Sequence, residues 1–386
     1  MAARKLKIIL SGMIAADPFQ GGATWAVLQY LLGLRRLGHE VYFIEPLSEK
    51  SLPPAGRELA GSSNAAYFRE VMRDFGCAET AALLLAGTHQ TVGLAYDELK
   101  EFARRADLLI NISGMLTDAA LLEPVPRRVY LDLDPAFNQI WHEAYGIDMR
   151  FAAHTHFVTV GQAIGKPSCP VPTCGLKWLT TWQPIVLAHW PQAERIDHDA
   201  LTTIANWRGY GSVEYQGTFY GQKAHSLRRF IELPRRSDEQ FMLALAIHPD
   251  ERKDIAALAE NHWQLLDPSQ VVRTPQRYQR FIQGSKGEFG IAKSGYAVSH
   301  CGWFSDRSVC YLASGRPVIA QATGFSRFLP VGEGLFAFAS TDEAVAAIGQ
   351  LNRDYAAHAR AARHLAEAVF DSDKVLTRFL QEVEAI

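Results

Sequence analysis

Residues 300–319, HCGWFSDRSVCYLASGRPVI, read as a glycine turn, a helix start, a short helix, a glycine stop and a buried strand. Ser305 is a residue type that opens helices, Asp306 complements the helix dipole, and Gly315 followed by Arg-Pro-Val-Ile turns the chain into a strand. One such unit places a helix beside a parallel strand, the building step of an α/β sheet. The same unit proposes chemistry. Free N–H groups at the helix mouth attract an anion, Arg307 adds a bidentate clamp, and Gly302 admits a close backbone approach, so phosphate is the group that fits there.

Outward from this unit, short apolar runs alternate with amphipathic stretches along the chain. LKIILSG from Leu6 precedes a helical pattern through Trp25, Leu28, Leu31, Leu32 and Leu34; Gly38 closes that helix, and HEVYFIEP forms the next strand, ended by Pro46. DLLINISG (107–114), RVYLDLDP (128–135), THFVTVG (155–161) and PIVLAHWP (184–191) are further expected strands. The pattern restarts at LTTIANWRGYG from Leu201. It continues through EQFMLALAI from Glu239, HWQLLDP from His262, EFGIAKSG from Glu288, YAVSHCGW from Tyr296 and RPVIAQ from Arg316. The expected fold is therefore α/β with two facing Rossmann-like domains, residues 1–190 and 200–369, joined by a linker near 188–199. The alanine-rich end reads as helix, with Ser372 or Asp373 as the N-cap of its last segment. Residues 370–386 are expected to cross back onto the first domain.

Composition narrows the function classes. A chain of 386 residues, 48% hydrophobic and 21% charged, is ordinary globular material with enough length for two cores. A net charge of -2 provides no general field for nucleic acid or an anionic membrane, and no apolar run reaches the ~18 residues of a membrane span. The apolar run near the N-terminus is short and reads as a first strand rather than a signal peptide, so a cytoplasmic location is expected. Five scattered cysteines read as reduced thiols, and CPVPTC (169–174) lacks a second ligand pair. The thirteen histidines show no metalloprotease spacing, and His300 reads as structural. No metal and no resident cofactor are expected.

Ligands of open α/β sheets lie beyond the carboxyl ends of the strands, so two facing domains enclose a cleft fed by loops from both. In the second domain Lys223 and Lys293 occupy strand-to-helix connections and join Ser305 and Arg307 as candidate diphosphate ligands. In the first, Asp17 of AADPFQGG follows the first strand, and Gly21 and Gly22 at the next helix start leave room for phosphates or a sugar. Asp132 and Asp134 of YLDLDP are rival carboxylates placed on one face by strand alternation, Asp134 being nearer the strand end. Trp141, Trp178 and Trp182 read mostly as core, with one or two available to stack on an acceptor.

The two-domain pattern, GGATWAVLQYLLGLRRLGHEVYFIEP, CYLASGRPVI and the crossover-like C-terminal helices resemble glycosyltransferases of the GT-B fold. The organisation covers nearly the whole chain, and the specific motifs are confined to about 288–338. HCGW is similar to part of the plant secondary-metabolite glucosyltransferase signature, with Phe304-Ser305 in place of its Asn-Ser. FSDR and YLASG are closer to bacterial transferases of the family 4 and spore-coat groups. The resemblance implies a nucleotide-diphosphate sugar as co-substrate, held mainly by the C-terminal domain, and an unidentified acceptor held mainly by the N-terminal one. It implies a metal-independent transfer, with Asp17 or Asp134 as base if the anomeric centre inverts. Many relatives hold the donor ribose with a Glu five residues before the glycine of this element; here Cys310 stands there, which implies either that the role passes to Asp306 or Tyr311 or that the donor is unusual.

The Asp132-Leu133-Asp134 spacing also copies the metal-binding DxD of GT-A transferases, a pattern common by chance. A nucleotide-sugar 2-epimerase shares the two-domain plan, but its acid/base spacing is missing. A dehydrogenase is disfavoured because SGMIAADPFQGG is not a G-x-G-x-x-G fingerprint. A non-catalytic sugar-nucleotide sensor is the remaining alternative.

Overall fold

The computed structural model describes residues 4–52 and 58–386. Two sheets carry the chain. The first is built from β1 (Lys7–Ser11), β2 (Glu40–Leu47), β3 (Ala81–Leu85), β4 (Thr91–Gly93), β5 (Leu108–Ile112), β6 (Arg127–Asp132), β7 (His156–Thr159) and β8 (Trp178–Thr180). Its order is β4-β3-β2-β1-β5-β6-β7-β8, and only the β3–β4 pair is antiparallel. A long strand β9 (His198–Asn206) and the hairpin β10 (Val213–Tyr215) and β11 (Thr218–Tyr220) open the second half. They are followed by β12 (Phe241–Ala246), β13 (Gln264–Leu266), β14 (Ser285–Gly290), β15 (Val318–Gln321) and β16 (Leu335–Phe338). The second sheet runs β13-β12-β9-β14-β15-β16, all parallel.

Strands covered on both faces read as continuous apolar runs. In β1, Ile8 and Leu10 join the large core beneath the Gly21–Arg36 helix, while Ile9 points into the opposite layer with Leu109 and Phe102. Strand order reverses at β1 in the first sheet and at β9 in the second, which puts a switch point at the carboxyl end of each.

The large core is continuous across the two halves. It joins Trp25 and Leu28 of the Gly21–Arg36 helix to Phe281 and Ile282 of the Pro275–Gly284 helix and to Phe370, Leu376 and Leu380 near the C-terminus. The last helix, Ser372–Glu382, lies on the Gly21–Arg36 helix. A Cβ on Gly33 would come within 2.4 Å of Leu376 Cδ1, and Arg36 pairs with Asp373 at 2.9 Å. Its N-cap is Asp371, which accepts from the Asp373 N–H at 3.1 Å, one residue before the positions expected from sequence. No helix among the described residues is long and apolar enough to cross a membrane.

Two expected strands are absent. Residues 184–191 cross between the halves, and only Ile185 makes a β-bridge, to Asp371. Ile185, Val186 and Trp190 are buried, Ile185 donating its N–H to the Phe370 carbonyl at 2.8 Å and Trp190 packing against Trp25 and Tyr278. YAVSHCGW begins with part of a helix, Ser294–Ser299, ended by His300 at φ 47°. Only a few residues separate it from the end of β14, too few for the crossover a parallel neighbour requires.

Candidate active site

The carboxyl ends of both sheets face a cleft of about 990 Å³. One wall is Pro18–Ala23, the loop after β1 and the opening of the Gly21–Arg36 helix. The other consists of Ile204–Asn206, Leu245–Pro249 and Leu265–Ser269, the ends of β9, β12 and β13. Lys223, Val272, Arg273, Tyr278, Asp306 and Arg307 complete the lining. The Gly21–Arg36 helix has no side-chain cap and no acidic residue in its first turn, so its amide end is presented to the cleft uncompensated.

Arg307 is built in from below. Its Nε donates to Glu288 Oε1 at 2.5 Å, and Nη1 donates to the Ile204 carbonyl at 2.8 Å. Glu288 lies on β14, fully buried, and its Oε2 has no partner among the described residues. Lys223 opens the Lys223–Leu227 helix and makes no hydrogen bond or ion pair among the described residues. Burial holds its pKa well below the ordinary lysine value; the charges of Arg307 and Lys293 push the same way, against Asp306 and Glu288. Lys223 and Arg307 thus share one wall, with Arg273 also in the lining, and of the three only Arg307 makes an ion pair among the described residues. An anion arriving from outside would relieve that repulsion.

Other expected ligands are placed differently. Tyr311 is fully buried, its hydroxyl paired with Thr202 Oγ1, on the part of the Asp306–Ala313 helix that packs into the core; it cannot touch a ligand in the cleft. Ser305 precedes that helix, but its hydroxyl does not cap it. It turns toward Asp306 Oδ1 at 3.4 Å and stands outside the cleft lining. Asp306 is in the cleft. Gly302, at φ 78°, answers to a protein neighbour, since its Cβ would meet Ala163 N at 3.0 Å.

Gly21 and Gly22 line the cleft, yet what they admit is the other domain. A Cβ on Gly21 would lie 2.5 Å from the carbonyl oxygens of Val272 and Thr274, and one on Gly22 would lie 2.8 Å from the Tyr278 ring. Trp25 Nε1 donates to the Pro275 carbonyl at 2.8 Å beside them. Gly21→Ala is therefore expected to destabilise the protein by about 1–3 kcal/mol, because backbone atoms cannot rotate away. Urea denaturation tests this, and an unchanged midpoint would refute it.

Asp17 is exposed and one residue outside the lining, without a hydrogen bond among the described residues. The backbone before it is held by Glu45 of β2, whose Oε1 accepts from the N–H groups of Ile14, Ala15 and Ala16 at 3.0, 2.7 and 2.7 Å. Burial pushes the Glu45 carboxyl up to about 7 against the pull of those three donors.

The two carboxylates of YLDLDP diverge. Asp132 is fully buried and accepts from Asn138, Gln139, Thr159 and the Asp134 N–H, at 2.7, 2.7, 2.8 and 2.9 Å, which fixes the turn after β6. Asp134 lies past the strand end and is taken up by the other domain. Lys293 Nζ donates to its two oxygens at 3.0 and 3.2 Å, and Tyr210 and Tyr296 donate to it through their hydroxyls. The Lys293 ammonium also lies 3.9 Å from the centre of the Tyr210 ring. Asp134 and Lys293 therefore form a latch between the domains, outside the cleft lining. Trp178 is buried among Tyr130, Phe151 and Phe157, Trp141 packs edge-on against Tyr210, and Trp182 packs against Phe370.

Sequence reading missed Glu45 and Glu288. Each is a lone carboxylate inside an apolar strand run, FIEPL and GEFGIA, and a charge there must be paired once buried.

Two Rossmann-like halves facing across a cleft, with the last helix returned to the first half, define the GT-B fold. Anabaena HepE, solved with UDP-glucose, matches with a TM-score of 0.61 at 12% identity, covering 99% of this chain and 100% of that one. An alpha-glucosyltransferase, solved with UDP and a 13-mer DNA, gives 0.58 at 12% over 98% and 99%. A glycosyltransferase from Rickettsia africae gives 0.53 at 11% over 99% and 98%. No family model and no curated protein matches the sequence.

Proposed function

We propose that the chain is a glycosyltransferase that moves a sugar from a nucleoside-diphosphate donor to an acceptor nucleophile. The observation that carries this reading is the wall holding Lys223 and Arg307 together, with no hydrogen bond or ion pair to Lys223 among the described residues, at the switch point of the second sheet. Solved proteins of the same fold carry UDP or UDP-glucose, which supports it. In this reading the diphosphate meets the guanidinium and the ammonium, and the nucleoside extends toward the ends of β12 and β13. The sugar faces the uncapped helix start at Gly21–Ala23. With Tyr311 in the core, Asp306 is assigned to accept from donor hydroxyls, since Asp267, the other carboxylate of the lining, already accepts from Ser269.

As the glycosidic bond breaks, negative charge grows on the leaving diphosphate, and two fixed cations stabilise it where it develops. We assign that neutralisation to Arg307 and Lys223, without a divalent ion or resident cofactor. Asp17 is the candidate base, since Asp134 is engaged by Lys293. The acceptor enters from the N-terminal wall; a net charge of -2 offers no general attraction for a polyanion, and we place the protein in the cytoplasm.

The test is thermal stabilisation by a panel of nucleoside diphosphates and their sugars, on wild type and Lys223→Met. Wild type is expected to rise with one nucleoside diphosphate. Lys223→Met is expected to melt higher than wild type without ligand, because the fold disfavours the charged amine, and to lose most of the ligand response. Affinity in wild type is expected to fall as pH rises through the depressed lysine pKa, and this fall disappears in the variant. A wild type indifferent to every diphosphate would remove the reading.

A further inference from the structure

Three successive amides converging on one oxygen make a concave, positively polarised backbone, the kind of feature that binds anions. The Ile14–Ala16 segment is such a cradle, and it lies after β1 at the switch point of the first sheet, where a nucleotide-binding domain would receive phosphate. Here Glu45 fills it from the neighbouring strand. Glu45 is fully buried, and its Oε2 has no partner among the described residues. The cradle is braced from its other side by buried Asn64, whose Nδ2 donates to the Ala15 carbonyl at 2.7 Å. Directly after the cradle come Asp17 and the cleft wall Pro18–Ala23.

We propose that Glu45 is a positioning residue: an internal carboxyl acceptor that occupies the first domain's own phosphate cradle and thereby fixes how Asp17 and the helix start at Gly21 are presented to the opposite wall. It has two consequences. The Ile14–Ala16 amides are closed to donor phosphates, which leaves the Lys223–Arg307 wall to hold them. The presentation of Asp17 depends on a carboxylate on a different strand. The second consequence rests on the transferase reading; the occupied cradle does not.

The test uses the full chain with Glu45→Ala and Glu45→Gln. Hydrogen exchange at residues 14–16 is expected to quicken by about tenfold or more in Glu45→Ala and to slow again when formate replaces chloride at constant ionic strength, since formate can enter the vacated cradle. In Glu45→Gln, which keeps the acceptor oxygen and guards against loss of folding, exchange there is expected to stay close to wild type. With sugar-nucleotide turnover as readout, kcat of Glu45→Ala is expected to fall by about 100-fold while nucleoside diphosphate affinity holds, and formate is expected to restore part of it. Unchanged exchange in Glu45→Ala, or exchange that formate does not slow, overturns the internal acceptor. Altered exchange with unchanged kcat overturns the positioning role. A wild type that binds no nucleoside diphosphate defeats the transferase reading instead, and the exchange experiment still decides what Glu45 does.

Discussion

Arg307→Ala is expected to cost about 3–5 kcal/mol of folding stability and to abolish stabilisation by any nucleoside diphosphate. The first effect follows from Glu288, whose fully buried carboxylate has Arg307 as its cation partner and one oxygen already unpaired. Removing one member of a buried pair leaves the other charge without compensation, a far larger penalty than the pair's net worth. The second effect follows because the guanidinium edge left free by Glu288 and the Ile204 carbonyl is the rigid cation of the cleft wall. The double variant Arg307→Met/Glu288→Leu separates the two. It replaces the pair by apolar groups and is expected to recover most of the stability while remaining blind to diphosphate. Chemical denaturation with and without nucleotide measures both. A stable Arg307→Ala that still responds to nucleotide would contradict the assignment.

Asp134→Asn is expected to show the other large effect, at the latch between the domains. The side chains of Lys293 and Asp134 retain 19% and 23% exposure, so the loss should fall near the lower end for a buried pair, about 3 kcal/mol. Burial already holds the Lys293 pKa below its ordinary value despite the pull of Asp134. Between that depressed value and the ordinary one the unfolded chain binds more protons, so stability rises with pH across the window. Without the Asp134 charge the folded pKa drops further and the window extends to lower pH. Denaturation midpoints across neutral to alkaline pH measure this. A variant whose profile parallels wild type would show that the latch carries no charge coupling. Diphosphate binding to the second-domain wall should survive, which distinguishes this variant from Arg307→Ala.

The fold was legible because burying a strand on both faces demands an apolar run, and runs such as KIILS, LLINI and VIAQ stand out locally. The helix stop at Gly38 and the Asp306–Ala313 unit were legible for the same reason: caps and turns are local chemistry. The site was less so. Gly21, Gly22 and Gly302 look like room for a ligand, but what approaches them is the partner domain, a distinction that depends on Val272, Thr274 and Tyr278 for the first two and on Gln162 and Ala163 for the third, all far away in sequence. Tyr311 and Asp306 share one helix, and only packing on its far side decides which of them reaches the cleft. Asp134 and Lys293 were each legible as charged loop residues, but not their pairing, which is a property of how the domains meet.

The return of the Ser372–Glu382 helix to the Gly21–Arg36 helix has a consequence for synthesis on the ribosome. The first sheet is complete in sequence at Thr180, yet the apolar helix face around Leu34 waits for residues made nearly two hundred positions later. At about 5–20 residues per second that interval is roughly 10–40 s. Throughout it the nascent chain carries an uncovered apolar stripe, a surface for chaperones to guard, and a stop codon a few turns early would leave that stripe bare for good.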